Sequence, residues 1–118
     1  MTEIPDGIGK ENELPTKCKP CEIGTLPLPK EKIERLIAQY PEWQLLEGKK
    51  IAREFKFKNF IEAKHFLDLV ANLAEEQGHH PTMTISYNKL KITLTTHAAG
   101  GLTDNDFIMA KIIDELGS

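Results

Sequence analysis

From Thr82 to Thr95 the chain reads TMTISYNKLKITLT, with apolar and polar residues taking turns. Successive side chains of an extended chain point to opposite faces, so a period of two marks strands buried on one side only. Met83, Ile85 and Tyr87 form one apolar row, and Leu90, Ile92 and Leu94 form another. A tight turn at Asn88-Lys89 joins them as an antiparallel hairpin. That turn sets Tyr87 against Leu90, Ile85 against Ile92 and Met83 against Leu94. On the polar side it sets Thr84 against Thr93, Thr82 against Thr95 and His80 against His97. A slip of one residue would oppose apolar to polar faces.

The rest of the chain supplies what covers such a sheet. Ile33, Leu36, Ile37 and Tyr40 recur at helical spacing from Lys30 to Tyr40, and Pro41 ends that run. Trp43 to Lys58 reads as two further strands around Gly48-Lys49, with Ile51, Arg53, Phe55 and Phe57 on one face and Arg53 breaking the alternation. Asn59 followed by Glu62 opens a helix whose stripe is Phe66, Leu67, Val70, Leu73 and Ala74, and Gly78 suits a left-handed helix end. Thr103 and Asp106 repeat the capping spacing ahead of Ile108, Met109, Ile112, Ile113 and Leu116. The order α-β-β-α-β-β-α predicts an α+β fold, a four-stranded antiparallel sheet with helices packed on one face.

With 118 residues and 40% hydrophobic composition the chain fits one domain, expected at 29–118. Residues 1–28 hold four prolines and three glycines without an apolar period, and read as an extended, loosely attached arm. Its CKPC, Cys18 and Cys21, could be half a zinc site or a redox pair, but neither a second ligand pair nor a βαβ pattern accompanies it. Two reduced cysteines in an arm is the simpler reading. The net charge of -3 argues against nucleic acid as main ligand. A polar start and the lack of a long apolar run predict a soluble, cytoplasmic protein with no membrane association.

Three of the four histidines gather around the hairpin: His79 and His80 ahead of Pro81, and His97 after the second strand. His65, among Lys64 and Asp68, reads as a surface residue of the helix. Imidazole titrates near pH 6.5 when unperturbed, so neighbouring rings at neutral pH can divide the work of giving and taking a proton. That pairing suits elimination of water, where a leaving hydroxyl is protonated while another proton is drawn off the substrate. The competing reading is a three-histidine zinc site with one open position. Adjacent strand residues point to opposite sides, which makes HH a poor chelating pair unless the loop bends. Asp106 has a structural alternative as a helix cap, and the AAGG turn either serves backbone geometry or offers N–H groups to a ligand.

The segments EEQGHHP, YNKLKITLTTH and GGLTDND resemble the pterin-4a-carbinolamine dehydratase family. The resemblance spans roughly Pro29 to Leu116 in element order and is densest from Glu75 to Asp106. It implies dehydration of 4a-hydroxytetrahydrobiopterin or a similar carbinolamine to a quinonoid dihydropterin, in cofactor recycling, without metal or cofactor and in a homodimer or homotetramer. Position by position it implies His79, His80 and His97 as the active-site histidines; on our reading His79 and His97 are acid and base, and His80 binds and orients the pterin. Glu75, Gly78, Thr95, Thr96, Ala98 and Asp106 would bind substrate. Thr82 and Met83 depart from the family's acid and tryptophan after HHP, which bears on packing and pocket shape. The arm falls outside the part that the resemblance ties to function. A non-catalytic protein-binding or assembly module on the same fold is the alternative reading.

Overall fold

The computed structural model describes residues 15, 17–19 and 25–117. Helix α1 runs Lys30–Ile37, β1 Gln44–Leu46, β2 Lys50–Lys56, α2 Phe60–Gln77, β3 Thr82–Ser86, β4 Lys89–Leu94 and α3 Asp104–Leu116, with a 3-10 turn at His97–Ala99. The four strands form one antiparallel sheet in the order β1-β2-β4-β3. One core unites Ile33 and Leu36 of α1, Phe66, Val70 and Leu73 of α2, and Phe107 and Ile113 of α3 with Ile51, Phe55, Leu90, Ile92 and Leu94 of the sheet. The helices therefore share one face, and the expected α+β architecture is the observed one.

Local rules explain most boundaries. Asn59 caps α2 by accepting the Glu62 N–H at 2.9 Å, and Gly78 closes that helix at φ 67°, a conformation that only a residue without Cβ adopts cheaply. The α1 helix stops at Ile37, sooner than Tyr40, and a tighter turn with Tyr40 N–H on the Ile37 carbonyl carries the chain to Pro41. Arg53 faces the helices after all: its Nη1 lies 2.6 Å from Asp114 Oδ1, which also accepts the Trp43 indole N–H at 2.8 Å. Its guanidinium also lies 4.1 Å from the centre of the Phe55 ring, so charge pairing and ring contact offset its partial burial.

Both hairpin turns differ from expectation. The β1–β2 turn centres on Glu47 and Gly48, both at positive φ, with Lys49 N–H on the Leu46 carbonyl. The β3–β4 turn is Tyr87-Asn88, one residue before the expected pair, and the register is Thr82↔Thr93, Met83↔Ile92, Thr84↔Lys91, Ile85↔Leu90 and Ser86↔Lys89. Every partner on β4 is therefore displaced by two from the expected pairing. A shift of two leaves apolar opposite apolar, so alternation alone does not detect it. What selects the observed register is a long-range anchor: Asn88 accepts the Phe57 N–H at 2.7 Å through its carbonyl and donates its side-chain amide to the Phe57 carbonyl at 3.0 Å. Tyr87 is consequently exposed at the tip, not a member of the apolar row.

Most of the expected arm, with Cys21, lies outside the described residues. Cys18, Lys19 and Leu28 touch the domain. Leu28 N–H donates to the Leu102 carbonyl at 2.8 Å, and Cys18 N–H donates to Gln77 Oε1 at 2.9 Å.

Candidate functional site

The end of α2 builds one wall of a cleft. Because Gly78 turns left-handed, both its N–H and that of His79 fold back onto the Ala74 carbonyl, at 2.9 and 3.2 Å. The chain thus leaves the helix with His79 and His80 side by side ahead of Pro81. The opposite wall follows β4. Thr96 N–H donates to the Gly101 carbonyl at 3.0 Å, Gly101 N–H returns to Thr96, and His97 sits at the head of the enclosed 3-10 turn.

Between these walls lies a cleft of about 280 Å³ lined by Gly78, His79, His80, Thr95, Thr96, His97 and Ala98, together with Lys19 and Asn105. The three histidines share this cleft, but not by the expected strand pairing. Extending the observed register sets position 80 against 95, and His97 reaches the cleft because the 3-10 turn bends the chain after Leu94. A larger groove of about 390 Å³ lies among Pro27, Leu28, Ile33, Leu45 and Gly101 and is lined by no histidine. Chemistry, not size, selects the smaller one.

Asp106 and Glu75 stand behind the cleft, each bonded to one histidine. His79 Nε2 is 2.6 Å from Asp106 Oδ1. The other carboxylate oxygen accepts the Thr96 hydroxyl at 2.8 Å and the Thr103 N–H at 3.0 Å. Thr96 and Thr103 hydroxyls are 2.8 Å apart. Since Thr96 has one hydrogen and gives it to Asp106, Thr103 must donate to Thr96. The chain of bonds therefore has a direction, from Thr103 through Thr96 to the carboxylate. Asp106 is fully buried at 0% exposure, and burying a carboxylate is tolerable only with donors of this kind plus the positive end of a helix, whose third residue it is. The capping box read from Thr103 and Asp106 is formed; the same carboxylate serves cap and histidine.

An ionised carboxylate only accepts hydrogen bonds, so Asp106 holds the proton of a neutral His79 on Nε2 and leaves Nδ1 as the nitrogen able to take another. His79 is 11% exposed in its side chain. His80 differs: its Nε2 lies 2.6 Å from Glu75 Oε2, with the two side chains 61% and 79% exposed. Water competes for that pair, which makes it a loose orienting contact. Thr95 lines the cleft, though its hydroxyl donates to the Lys49 carbonyl at 2.7 Å. Among the described residues no three His, Cys, Asp or Glu side chains are grouped as ligands for a metal ion.

Two lining residues escape a reading of the sequence. Asn105 is buried beside Asp106 at the start of α3, where it passes for an ordinary helix-start residue. Its amide clamps the arm: Oδ1 accepts the Lys19 N–H at 2.9 Å, and Nδ2 donates to the Lys19 carbonyl at 2.6 Å. Nothing in the local sequence signals Lys19 as a wall of the cleft.

The family model for pterin 4 alpha carbinolamine dehydratase matches residues 26–116. A protein of Alkaliphilus metalliredigens named for pterin-4-alpha-carbinolamine dehydratase is 46% identical over 100 residues, covering 84% of this chain and 90% of its own. A protein of the same name from Nitrosospira multiformis is 46% identical over 106 residues, covering 89% and 93%. Among solved structures, a transcriptional coactivator/pterin dehydratase from Brucella melitensis superposes with a TM-score of 0.74 at 32% identity, covering 78% of this chain and 99% of its own. A pterin dehydratase-like protein identified as a RuBisCO assembly factor in the alpha-carboxysome gives 0.54 at 25% identity, covering 64% and 87%. With the match extending from the first helix through the last, and over all three histidines of the cleft, the chain belongs to the pterin-4a-carbinolamine dehydratase family.

Proposed function

We propose that this protein is a cytoplasmic hydro-lyase that dehydrates 4a-hydroxytetrahydrobiopterin, or a pterin carbinolamine like it, to the quinonoid dihydropterin by acid and base catalysis without a metal. The observation that carries the reading is the buried chain Thr103, Thr96, Asp106, His79 ending at a cleft that His80 and His97 also line. A carbinolamine bears a hydroxyl on a carbon bonded to nitrogen. In its dehydration a base takes the N–H proton, the electron pair forms C=N, and the C–O bond breaks as an acid protonates the leaving hydroxyl. His79, tied at Nε2, and His97 share these two proton transfers. His80, held by Glu75, orients the ring system, and the peptide edges of Gly78, Thr95, Thr96 and Ala98 bind it. The open outer edges of β1 and β3 suit a homodimer or homotetramer.

Purified protein should accelerate water loss from a 4a-hydroxytetrahydropterin, and the rate should survive a chelator. His79→Ala or His97→Ala should lower it by about 100-fold or more, the usual contribution of a positioned acid or base. Full activity in both variants would remove these roles, and one tightly held zinc per chain by elemental analysis would replace the mechanism. The likeness to an assembly factor supports a second reading, a non-catalytic assembly module; one stoichiometric protein partner with no turnover would favour it.

A further inference from the structure

The arm meets the domain at the cleft. Lys19 N–H and carbonyl both bond the side-chain amide of Asn105, Cys18 N–H bonds Gln77 Oε1, and Cys18 Sγ lies 3.6 Å from the Asn105 carbonyl. Cys18 also packs against the hydrophobic core. A two-point amide clamp fixes direction as well as position, because donor and acceptor must both be met. Lys19 precedes Pro20 in the sequence, a place biased towards extended backbone, which presents N–H and carbonyl to such a clamp. Lys19 and Asn105 both line the histidine cleft.

We propose that Lys19 and Asn105 are part of the substrate site, and that Lys19 selects pterins whose substituent is anionic or rich in hydrogen-bond acceptors. This rests on the dehydratase reading and deepens it. An ammonium group donates hydrogen bonds and accepts none, so a lysine among the lining residues favours carboxylate or hydroxyl oxygens over a methyl group. Asn105 is the positioning residue, holding Lys19 through its backbone. Gln77 does the same for Cys18 from outside the cleft lining, so it tests the clamp without altering the walls.

The experiment is a fluorescence titration of the full chain with pterin-6-carboxylate and with 6-methylpterin, for the wild type, Lys19→Gln, Asn105→Ala and Gln77→Ala. In parallel, trypsin cleavage after Lys17 is followed by mass with and without ligand. The expected result is a loss of about threefold to fivefold in affinity for the carboxylate in Lys19→Gln, with the methyl compound held within about twofold, as for a single exposed charge contact. Asn105→Ala and Gln77→Ala should lose the same preference and be cut faster after Lys17, while pterin-6-carboxylate should slow that cut in the wild type. Equal affinities for the two pterins in the wild type, or a preference untouched by Lys19→Gln and Gln77→Ala, would overturn the assignment. Wild type binding neither pterin would instead sink the dehydratase reading, and this inference with it.

Discussion

Replacing Asp106 by asparagine exchanges one oxygen for an NH2 group at the point where cap, hydroxyl chain and the proposed acid-base residue His79 meet. Two donors, the Thr96 hydroxyl and the Thr103 N–H, converge on Oδ2. The asparagine carbonyl will take that side and keep the helix start. Its NH2 then faces His79 Nε2, at 2.6 Å in the parent, and a donor there forces the imidazole to carry its proton on Nδ1. If His79 moves protons as proposed, it is then present in the wrong tautomer, and the dehydration rate should fall by about 100- to 10,000-fold, the range of general acid and base catalysis. Stability should change far less. Charge-assisted bonds become neutral ones, a loss of roughly 1–2 kcal/mol, or a fall in Tm of about 4–16 °C for a domain of this size. Asp106→Ala, by contrast, strands buried donors and should cost about 3–5 kcal/mol. Pterin absorbance kinetics, thermal melts and ¹⁵N chemical shifts of the His79 ring measure the three quantities. A folded asparagine variant at the wild-type rate, or one that is slow while His79 keeps its proton on Nε2, would refute the tautomer argument.

Further outcomes follow from the same geometry. Gly78→Ala places a Cβ on a residue at φ 67° and should destabilise the fold by about 1–2 kcal/mol in urea titration; it should also lower activity, because His79 follows directly. Asp114→Ala removes the acceptor shared by Trp43 and Arg53, with an expected loss of about 2–4 kcal/mol and a red shift of Trp43 fluorescence. Glu75→Gln loosens only the exposed His80 contact, so KM should rise by less than about tenfold, with kcat nearly unchanged.

How far such a fold can be read from its residues depends on the range of each interaction. The helix starts at Asn59 and Thr103 and the stop at Gly78 are settled by atoms within a few residues, and they were legible. The core faces of β2, β3 and β4 were legible too, since residues such as Leu90, Ile92 and Leu94 repeat every second position. The register was not. A displacement of two still sets apolar residues opposite apolar ones, and the register observed goes with the Asn88 contact to Phe57, from another hairpin. The histidines could be grouped because two are neighbours in the chain and the third ends the next strand, yet the reason for grouping, direct opposition of His80 and His97, does not hold. His97 reaches the cleft through a 3-10 turn.

Asp106 shows the division within one side chain. Its spacing from Thr103 announces a cap, because both belong to one turn of helix. That its second oxygen meets His79, 27 residues away, depends on how α2 and α3 pack against the same sheet. Lys19 lies 86 residues from Asn105, and no period or motif links them. The chain alone determined its elements, their buried faces and the residue types suited to moving protons, since these follow from steric and solvation preferences of near neighbours. Packing decided which nitrogen of which histidine meets a carboxylate and that the arm walls the cleft, since hydrogen bonds between distant segments exist only once the core has brought them within 3 Å.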